Sequence, residues 1–295
     1  MCTTCGCSAG EVVYSEPATG MQIVVPGPEP ENAGHRHAHD HAHDHGHHHH
    51  DHDHHHGHHH HHEHDHDHRH ARTVSLEQDI LAKNRLAAER NRGWFAGREV
   101  LAINLMSSPG AGKTTLLERT IRDLAPLPIC VIEGDQATAN DGARIRAAGA
   151  PVIQINTGTG CHLDAEMVAR GVQHLAPERG AVVMIENVGN LVCPALFDLG
   201  EDTSVVILSV TEGDDKPQKY PHMFRACQVM VINKTDLLPY VRFDMDRCIA
   251  AAREANPEIR IFQLSAETGG GLDSWYDWLR KAAPGSGQPS YGERR

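Results

Sequence analysis

Apolar residues follow two different periods between residues 100 and 283. Short, continuous apolar runs predict buried strands near 100–106, 128–133, 152–156, 181–186, 204–210, 228–233 and 260–264. Amphipathic stretches between them predict helices near 113–124, 138–148, 163–174, 243–255 and 272–282. Runs such as 181–185 are apolar throughout, so both faces of the strands are expected to be buried. The alternation predicts an α/β domain with a doubly wound, mostly parallel sheet, whose ligands gather at the carboxyl ends of the strands.

The N-terminal part of the chain has a different pattern. Ser75 to Gln78 resemble a capping box, and a helical pattern continues to about Arg92. Of 26 histidines, 23 lie between His35 and His70, where there is hardly an apolar side chain to bury. Such a segment cannot repay its ordering entropy. The predicted organisation is a cysteine motif at 1–10, a Pro- and Gly-containing linker at 11–33, a disordered His-rich tract at 34–72, a folded domain at 73–285 and a disordered tail at 286–295.

Charge and composition argue against several classes of function. The formal net charge is −12 and no compensating Lys/Arg block occurs, which argues against nonspecific nucleic-acid binding. No apolar run approaches the roughly 20 residues of a membrane span, and the start of the chain lacks the pattern of a secretory signal. A cytoplasmic, reducing location is therefore expected. There, the eight cysteines are better explained as thiols or metal ligands than as disulfides.

The stretch from 102 to 117 breaks from an apolar run into a Gly-rich turn and then into a helical pattern. This order is typical of a phosphate-binding loop (P-loop), in which backbone N–H groups point at an anion. Lys113 is predicted to reach the β- and γ-phosphates and to act in catalysis, and the Thr114 hydroxyl to bind Mg²⁺. Ser107 stands where the strict pattern has its first Gly; the alternative is an ordinary turn with a surface lysine. The expected nucleotide contacts are Ser108, Gly110, Ala111, Gly112, Lys113, Thr114 and Thr115.

A second motif favours guanine. Asn233-Lys234-Thr235-Asp236 ends a strand about 120 residues after the loop, and Ser265-Ala266 follows the last strand. The Asp236 carboxylate can accept from both the N1–H and the exocyclic amine of guanine, a donor pair that adenine lacks. Asn233 is expected to brace the loop and contact the base, and the Lys234 stem to cover its face. The motif is weak alone, but in this position it predicts GTP rather than ATP.

Two acids end strands beside the loop. Asp135 is a candidate for Mg²⁺, held directly or through water, and for positioning the attacking water. Glu186 occupies the place of the Asp in an Asp-x-x-Gly motif, so a water-mediated metal contact is expected. Gly189 would be the pivot whose N–H meets the γ-phosphate. The alternative for either acid is a solvated loop carboxylate.

Cysteine and histidine form three candidate metal sites. Cys2, Cys5 and Cys7 place three thiols within six residues, and thiolates favour Zn²⁺, Ni²⁺ or Cu⁺ over Mg²⁺; the alternative is a frayed terminus. The His-rich tract is expected to act as a metal reservoir or chelating arm.

The third candidate is internal. Cys161 and His162 follow a strand in a Gly-rich turn, and Cys193 lies just beyond Gly189 in the segment that would move on hydrolysis. If Cys193 comes near the other two, three ligands are available. An open position or a symmetric partner's ligands would then complete the shell. The remaining cysteines of the domain have apolar surroundings typical of small buried hydrophobes: Cys130, Cys227 and Cys248.

Together these motifs resemble the hydrogenase nickel-incorporation GTPases, the HypB family of accessory proteins. The resemblance rests on Cys-Thr-Thr-Cys-Gly-Cys, the His-rich insert, Ser-Ser-Pro-Gly-Ala-Gly-Lys-Thr-Thr, Gly-Thr-Gly-Cys-His-Leu-Asp, Glu-Asn-Val-Gly-Asn-Leu-Val-Cys-Pro and Asn-Lys-Thr-Asp-Leu-Leu-Pro-Tyr. Ser107 is no departure from this family. The resemblance implies a P-loop GTPase of the dimerising (SIMIBI) class that forms a homodimer through its nucleotide face. It also implies a tight nickel site at Cys2, Cys5 and Cys7, and a nucleotide-responsive Ni/Zn site at Cys161, His162 and Cys193.

The resemblance further implies nickel delivery to the large subunit of [NiFe]-hydrogenase, together with a small zinc-containing partner protein. GTP hydrolysis is expected to be slow, because no arginine finger can be assigned. One alternative is a nickel store whose GTPase domain is only a scaffold, and another is a urease-type nickel-insertion GTPase. A septum-placing or transport ATPase is disfavoured by Asn233 and Asp236.

Overall fold

The computed structural model describes residues 12–16, 21–25, 67–135, 140–158 and 160–284. The predictions for residues 1–10 and 286–295, and for most of the His-rich tract, lie outside the described residues. The described strands are β1 (Val12–Glu16), β2 (Met21–Val25), β3 (Leu101–Ser107), β4 (Ile129–Asp135), β5 (Val152–Asn156), β6 (Val182–Glu186), β7 (Thr203–Ser209), β8 (Val229–Asn233) and β9 (Arg260–Gln263). The helices are α1 (Asp67–Gly97), α2 (Lys113–Asp123), α3 (Asn140–Ala147), α4 (Ala165–Leu175), α5 (Lys216–Lys219), α6 (Pro221–Ala226), α7 (Met245–Ala255) and α8 (Leu272–Ala282).

These strands form a single sheet in the order β2-β1-β5-β4-β6-β3-β7-β8-β9. From β5 to β9 every neighbouring pair is parallel, whereas β1 is antiparallel to both β5 and β2. The predicted doubly wound, mostly parallel sheet is confirmed. The carboxyl ends of β3, β4, β6 and β8 therefore share one edge, and this edge carries the candidate site.

Helices cover both faces of the sheet. Successive residues of β3 alternate between two apolar clusters: Ile103 packs on the side of α2 and α8, and Ala102 on the side of α1 and α4. Every residue of β3 is buried, as its unbroken apolar run predicts. Fully burying one such aliphatic side chain contributes roughly 1.5–3 kcal/mol, so this double layer dominates the stability of the domain. Cys130 is buried in the cluster on the side of α1 and α4, and Cys227 and Cys248 are buried in a third apolar cluster around α6 and α7, which confirms their predicted packing role.

The linker predicted for 11–33 is wrong over ten of its residues, because β1 and β2 pair as a hairpin against the edge of β5. The linker was predicted from the prolines and glycines of this segment. Val12, Val13 and Tyr14, however, are β-branched or aromatic residues, which favour strands. Tyr14 is only 2% exposed and packs in the cluster that contains Ile155. The hairpin thus covers an otherwise open sheet edge.

The boundary predicted at residue 73 is also wrong. Helix α1 begins at Asp67, inside the tract predicted to be disordered and before the predicted cap at Ser75, and it ends at Gly97 rather than Arg92. Two buried amides anchor it: Asn84 donates to the carbonyl of Asp198 at 2.7 Å, and Asn91 donates to that of Ala165 at 2.7 Å. Tertiary contacts of this kind, rather than local propensity, supply most of the stability of helices in proteins.

The other predicted elements are confirmed to within two residues at each end, and the helix 272–282 coincides with α8. The sequence analysis missed α5, α6 and three 3₁₀ helices at Cys193–Leu196, Val210–Glu212 and Thr235–Tyr240. These elements are too short for a periodic pattern. In the part of the chain that the structure describes, no helix is both long and apolar enough to cross a membrane.

Candidate nucleotide and metal sites

The turn between β3 and α2 has the backbone of a phosphate-binding loop. Gly110 and Gly112 have φ angles of +75° and +96°, which favour glycine. A Cβ on Gly112 would lie 2.5 Å from the Asn233 amide nitrogen. The buried Lys113 ammonium donates to the Ser107 hydroxyl at 2.9 Å, and its burial lowers the pKa of Lys113. The predicted order of strand, turn and helix is confirmed.

The other predicted loop contacts lie around this turn. The Ser108 carbonyl accepts the Ser107 hydroxyl at 2.6 Å and the Ala111 N–H at 3.4 Å. Thr114 and Thr115 lie in the first turn of α2, where Thr114 is buried and Thr115 is half-buried. The helix N-terminus therefore carries Lys113 and both threonines at the place where an anion is favoured.

A buried carboxylate lies directly beneath the loop. Glu186, at the end of β6, accepts a hydrogen bond from the Thr114 hydroxyl at 2.8 Å. Burial raises the pKa of Glu186, while the neighbouring Lys113 charge and the Thr114 hydrogen bond act in the opposite direction. The predicted alternative, a solvated loop carboxylate, is wrong for Glu186 because it is 4% exposed.

The sequence analysis missed a second buried acid. Glu133 on β4 is the Cα partner of Glu186 and is 2% exposed. Burial raises the pKa of Glu133, and the Glu186 charge raises it further. The sequence does contain a signal for Glu133, because it is an acid inside the apolar run 129–133. A charge buried in such a run is costly unless it is paired or binds a ligand.

This group of oxygens fits a hard cation. Within the described residues, Glu133 Oε2 and Glu186 Oε2 are buried without a hydrogen-bond partner. Both belong to side chains whose charges act on Lys113. Carboxylate and hydroxyl oxygens are the ligands that Mg²⁺ takes beside phosphates, so Thr114, Glu186 and Glu133 suit that ion. Asp135, the acid that the sequence analysis favoured, ends β4 half-buried, and its carbonyl accepts the Thr157 N–H at 2.9 Å.

The Asn233–Asp236 loop is fastened to the phosphate-binding loop. Asn233 donates to the Ala111 carbonyl at 2.9 Å and accepts from the Ala266 N–H at 3.0 Å, which confirms its bracing role. Lys234 donates from Nζ to the Gly110 carbonyl at 2.7 Å. Asp236 Oδ1 is buried and lacks a hydrogen-bond partner among the described residues. This oxygen can therefore accept a hydrogen bond from a ligand. Contact of these residues with guanine stays a prediction.

The neighbouring loop residues have structural partners. Ser265 is 1% exposed, and its hydroxyl accepts the Thr268 N–H at 3.1 Å. Ala266 is 3% exposed. The Ala266 backbone N–H thus holds the side chain of Asn233 in place.

The segment from Glu186 to Cys193 passes over the phosphate-binding loop. A Cβ on Gly189 would lie 3.1 Å from Pro109 Cα, so the glycine permits this close approach. Asn187 is 1% exposed; its side-chain oxygen accepts the Val188 N–H at 3.0 Å, and its amide donates to Asn104 at 3.2 Å. The segment ends where the 3₁₀ helix begins at Cys193.

Cys161, His162 and Cys193 form a cluster, called the metal cluster below, whose ligand atoms all lie within 4.8 Å of one another. The condition set by the sequence analysis, that Cys193 comes near the other two, is met. The Cys161 sulfur lies 3.6 Å from His162 Nδ1. His162 stacks on Phe197 with ring centroids 3.8 Å apart, and burial lowers its pKa to about 4. The imidazole is therefore neutral near pH 7, which is the form that binds metals.

Two sulfurs and one imidazole nitrogen are a donor set for Ni²⁺ or Zn²⁺ rather than Mg²⁺. The set differs in chemistry from the oxygens beneath the phosphate-binding loop, and both lie at the carboxyl edge of the sheet. The fold and these two sites define a P-loop nucleotide-binding protein with a candidate transition-metal site.

Comparison with known proteins gives the family. The family described as "CobW/HypB/UreG, nucleotide-binding domain" matches residues 101–263. The hydrogenase maturation factor HypB of Escherichia coli K12 is 58% identical over 209 residues, covering 70% of this chain and 72% of the relative. HypB of Cupriavidus necator is 48% identical over 267 residues, covering 76% and 74%.

Two solved structures are also similar to this chain. The crystal structure of HypB from Helicobacter pylori in complex with nickel has a TM-score of 0.65 and 37% identity, covering 68% of this chain and 94% of that one. HypB from Archaeoglobus fulgidus has a TM-score of 0.63 and 40% identity, covering 68% and 98%. The chain belongs to the HypB family of hydrogenase maturation factors, and the family predicted from its motifs is confirmed.

Proposed function

We propose that the chain is a Mg²⁺-dependent GTPase that binds Ni²⁺ and delivers it in the cytoplasm during maturation of [NiFe]-hydrogenase. Membership of the HypB family supports the maturation role, and the nickel complex of the Helicobacter pylori protein supports nickel as the cargo. Metal release is coupled to the nucleotide state. The arrangement of the two sites and of the side chains that join them supports this coupling.

On the nucleotide side, backbone N–H groups of the turn and of α2 hold the phosphates, with Lys113 at the β- and γ-oxygens. Asp236 selects guanine, because its free oxygen can accept from the base. Mg²⁺ would be held by Thr114 with Glu186, Asp135 and Glu133, and it supplies charge neutralisation at the phosphates. Asp135 positions the attacking water. The buried Lys113 stabilises the negative charge that gathers on the transferred phosphoryl oxygens.

The observation that carries the coupling is the course of the segment 186–193. Its first residue is hydrogen-bonded to Thr114, and its last supplies a sulfur to the metal cluster. A γ-phosphate that orders Gly189 orders Cys193 as well, and hydrolysis releases both. By linkage, bound metal must change the nucleotide affinity by the same factor.

The partners follow from the family resemblance. We propose a homodimer formed through the nucleotide face, a small zinc-containing nickel chaperone and the hydrogenase large subunit. Val192 and Leu196, on either side of Cys193, are 51% and 56% exposed and offer an apolar surface for such contacts. Zn²⁺ is a second occupant that the sulfur and nitrogen donors accept.

Two alternatives remain in view. If the protein is a nickel store, its capacity depends on the His-rich tract. Deleting residues 34–66, which leaves α1 intact, would then remove that capacity. If the protein delivers nickel, the same deletion would still allow hydrogenase maturation when nickel is ample. A urease role is favoured by a relative from Helicobacter pylori that is named a hydrogenase/urease maturation factor and is 37% identical. Complementation of hydrogenase-deficient and urease-deficient strains separates the two.

The direct test compares three full-length chains: the wild type, the Cys2→Ala/Cys5→Ala/Cys7→Ala variant and the Cys161→Ala/Cys193→Ala variant. Nickel stoichiometry and GTP hydrolysis are measured on each. We expect each variant to lose one class of nickel site while Mg²⁺-dependent GTP hydrolysis persists. Unchanged nickel stoichiometry in both variants, or no hydrolysis by the wild type, would overturn the proposal.

A further inference from the structure

The three candidate ligands of the metal cluster lie on two separate stretches of the chain. Cys161 and His162 belong to residues 161–165, which lead into α4 and are called the first ligand segment below. Cys193 begins residues 193–199, called the second ligand segment, which start as a 3₁₀ helix. The ligand atoms all lie within 4.8 Å of one another, so their spacing depends on what holds the two ligand segments together.

One amide of α1 is hydrogen-bonded to both ligand segments. The Asn84 amide nitrogen donates to the carbonyl of Asp198 at 2.7 Å, and its side-chain oxygen accepts the N–H of Ala165 at 2.9 Å. Asn84 is 8% exposed, and hydrogen bonds in such an interior are stronger than hydrogen bonds in water. Asn84 therefore joins the end of the first ligand segment to the end of the second.

A second amide, about two turns further along α1, makes the same kind of connection. The Asn91 amide nitrogen donates to the carbonyl of Ala165 at 2.7 Å and to the carbonyl of Leu199 at 2.9 Å. Residues seven apart lie on the same face of a helix, so Asn84 and Asn91 face the two ligand segments together. As a result, α1 holds both the N–H and the carbonyl of Ala165.

Packing and charge bring α1 against the same two residues. Ala165 packs with Ala87 and Ala88 of α1 in a small buried cluster. Arg92 donates to both carboxylate oxygens of Asp198 at 2.9 Å. Helix α1 thus contacts the first ligand segment through small apolar side chains and the second through an ion pair, in addition to the shared amides.

Short, structured links connect these contacts to the ligands themselves. His162 stacks on Phe197 with ring centroids 3.8 Å apart, and Phe197 immediately precedes Asp198. On the first ligand segment, Asp164 caps α4 by accepting the Met167 N–H at 2.7 Å. Because closely packed interiors transmit strain, a displacement of either segment at α1 changes the positions of the ligand atoms.

We infer that Asn84 and Asn91 are positioning residues of the metal cluster and that the position of α1 sets the affinity of the cluster for Ni²⁺, an inference that rests on the nickel binding proposed above. The two amides act through the ligand segments and not as ligands. They hold two sulfurs and one imidazole at a separation that a single ion can bridge. Partners that orient metal ligands in this way typically change metal affinity by about 10- to 100-fold.

Helix α1 holds the side of the cluster that does not face the nucleotide-responsive segment. Asn187 accepts the Leu163 N–H at 3.1 Å and precedes Cys193 by six residues, within the segment 186–193. The contacts of α1 instead fall on residues that follow the ligands. A movement of 186–193 therefore changes the ligand spacing against a fixed support, and that support is α1.

The first test needs no metal. Full-length protein is treated with dibromobimane, which bridges two thiols only when they lie close together, and the bridged peptides are identified by mass spectrometry. Asn84→Asp keeps the acceptor for the Ala165 N–H, but an oxygen replaces the donor to the Asp198 carbonyl and repels it. We expect bridging of Cys161 to Cys193 to be slower in this variant than in the wild type.

Asn256→Asp is the matched control. Asn256 likewise donates to a carbonyl, that of Cys227 at 2.8 Å, and accepts an N–H, that of Glu258 at 3.1 Å. These partners follow α6 and α7 and are not part of either ligand segment. We expect bridging at the wild-type rate in this control. Equal slowing in Asn84→Asp and Asn256→Asp would overturn the inference.

A milder variant keeps the test decisive if Asn84→Asp does not fold. Arg92→Gln removes the ion pair with Asp198, whose two side chains are 41% and 42% exposed, so the fold should tolerate the change. We expect a smaller slowing of the bridging reaction. Wild-type bridging rates in whichever of the two α1 variants are folded by circular dichroism would overturn the inference.

The second test follows the metal. Ni²⁺ is titrated into full-length chains that carry Cys2→Ala, Cys5→Ala and Cys7→Ala, so that thiolate-to-nickel absorption reports the internal cluster. Adding Asn84→Asp should weaken nickel binding about tenfold and shift the absorption band, whereas adding Asn256→Asp should do neither. Unchanged affinity and band position in Asn84→Asp would overturn the inference. Failure of the chain to bind nickel would reject the proposed function alone, since the metal-free bridging still decides whether α1 positions the ligands.

Discussion

The Asn187 side-chain oxygen accepts a hydrogen bond from the backbone N–H of Leu163 at 3.1 Å. Asn187 follows Glu186, which contacts the phosphate-binding loop, and Leu163 follows His162 of the metal cluster. One buried amide therefore joins the strand end that contacts the phosphate-binding loop to the turn that carries two candidate metal ligands. We propose that this hydrogen bond is a route by which the two sites are coupled.

Removing that amide should uncouple the two sites. Asn187→Ala leaves the Leu163 and Val188 N–H groups without their acceptor, at a cost of about 1–3 kcal/mol in the free energy of unfolding for each group left unsatisfied. We expect the ratio of nickel affinities in GDP and in a GTP analogue to fall toward one. Isothermal titration calorimetry in both nucleotides measures this ratio.

Asn256→Ala is the matched control. Asn256 also anchors through its amide, donating to the Cys227 carbonyl at 2.8 Å, but it lies beyond α7 on the far side of the sheet from the phosphate-binding loop. It should lower stability and leave the affinity ratio unchanged. Equal loss of coupling in both variants would show that general destabilisation, not Asn187, is responsible.

Asp236→Asn should change the base that is bound. The amide removes one acceptor for the guanine N1–H and exocyclic amine but offers a donor to the C2 carbonyl of xanthine. We expect GTP affinity to fall by about 10- to 100-fold, or roughly 1.4–2.8 kcal/mol, and affinity for xanthosine triphosphate to rise. Competition binding with fluorescent nucleotides measures both. Unchanged GTP affinity would place the base elsewhere.

Gly189→Ala should disfavour the triphosphate state. The new Cβ would lie 3.1 Å from Pro109 Cα and 3.2 Å from Pro109 N, so the segment must move away from the loop. We expect affinity for the GTP analogue to drop by about 1 kcal/mol while GDP affinity is retained. Stopped-flow nucleotide binding provides both constants.

Gly93→Ala is the control for that glycine change. Gly93 lies in α1, where a Cβ would meet no described heavy atom within 4 Å. Alanine there should raise helix stability by about 0.5–1 kcal/mol and leave nucleotide binding unaltered. A drop in affinity for both nucleotides in Gly189→Ala would contradict a γ-phosphate role for Gly189.

The metal-free protein should lose stability as the pH falls through the range set by His162. Its pKa is about 4 in the folded chain and about 6.5 when unfolded, so the unfolded state binds more protons between these values. The free energy of unfolding therefore rises with pH across this window, by at most about 3 kcal/mol. Urea denaturation at several pH values measures it.

His162→Leu separates this effect from titrating carboxylates. The variant keeps an apolar contact with Phe197 but has no group to protonate. We expect a shallower dependence of stability on pH between 4 and 6.5 than in the wild type. Identical slopes would show that His162 is not buried as a neutral imidazole.

Local patterns were sufficient for the parallel core. The strand 181–186 could be predicted from its continuous apolar run, and the helix 272–282 from its helical period of apolar residues. The hairpin β1–β2 could not, since its five-residue strands are stabilised by the edge of β5, a partner more than a hundred residues away. Helix α1 is likewise anchored by tertiary contacts at Asn84 and Asn91, whose partners lie far away in the sequence.

The residues of the candidate site likewise fall into those that could be predicted from local sequence and those that could not. Lys113, Thr114 and Asn233 belong to contiguous motifs whose spacing carries their chemistry, so sequence reasoning placed them. Glu133 was not predicted as a site residue, because its proximity to Glu186 depends on the register between two strands that are distant in the sequence. The distance between Cys193 and Cys161 depends on how two loops cross the sheet edge, which spacing leaves open.

The most direct test of the account is an equilibrium nickel titration of the full-length chain, first with GDP and then with a nonhydrolysable GTP analogue. The reciprocal titration of nucleotide is carried out with and without nickel. We predict a nickel affinity that differs between the two nucleotides, with the same factor recovered in the reciprocal experiment. Equal nickel affinities in GDP and in the analogue would contradict the coupling of the two sites.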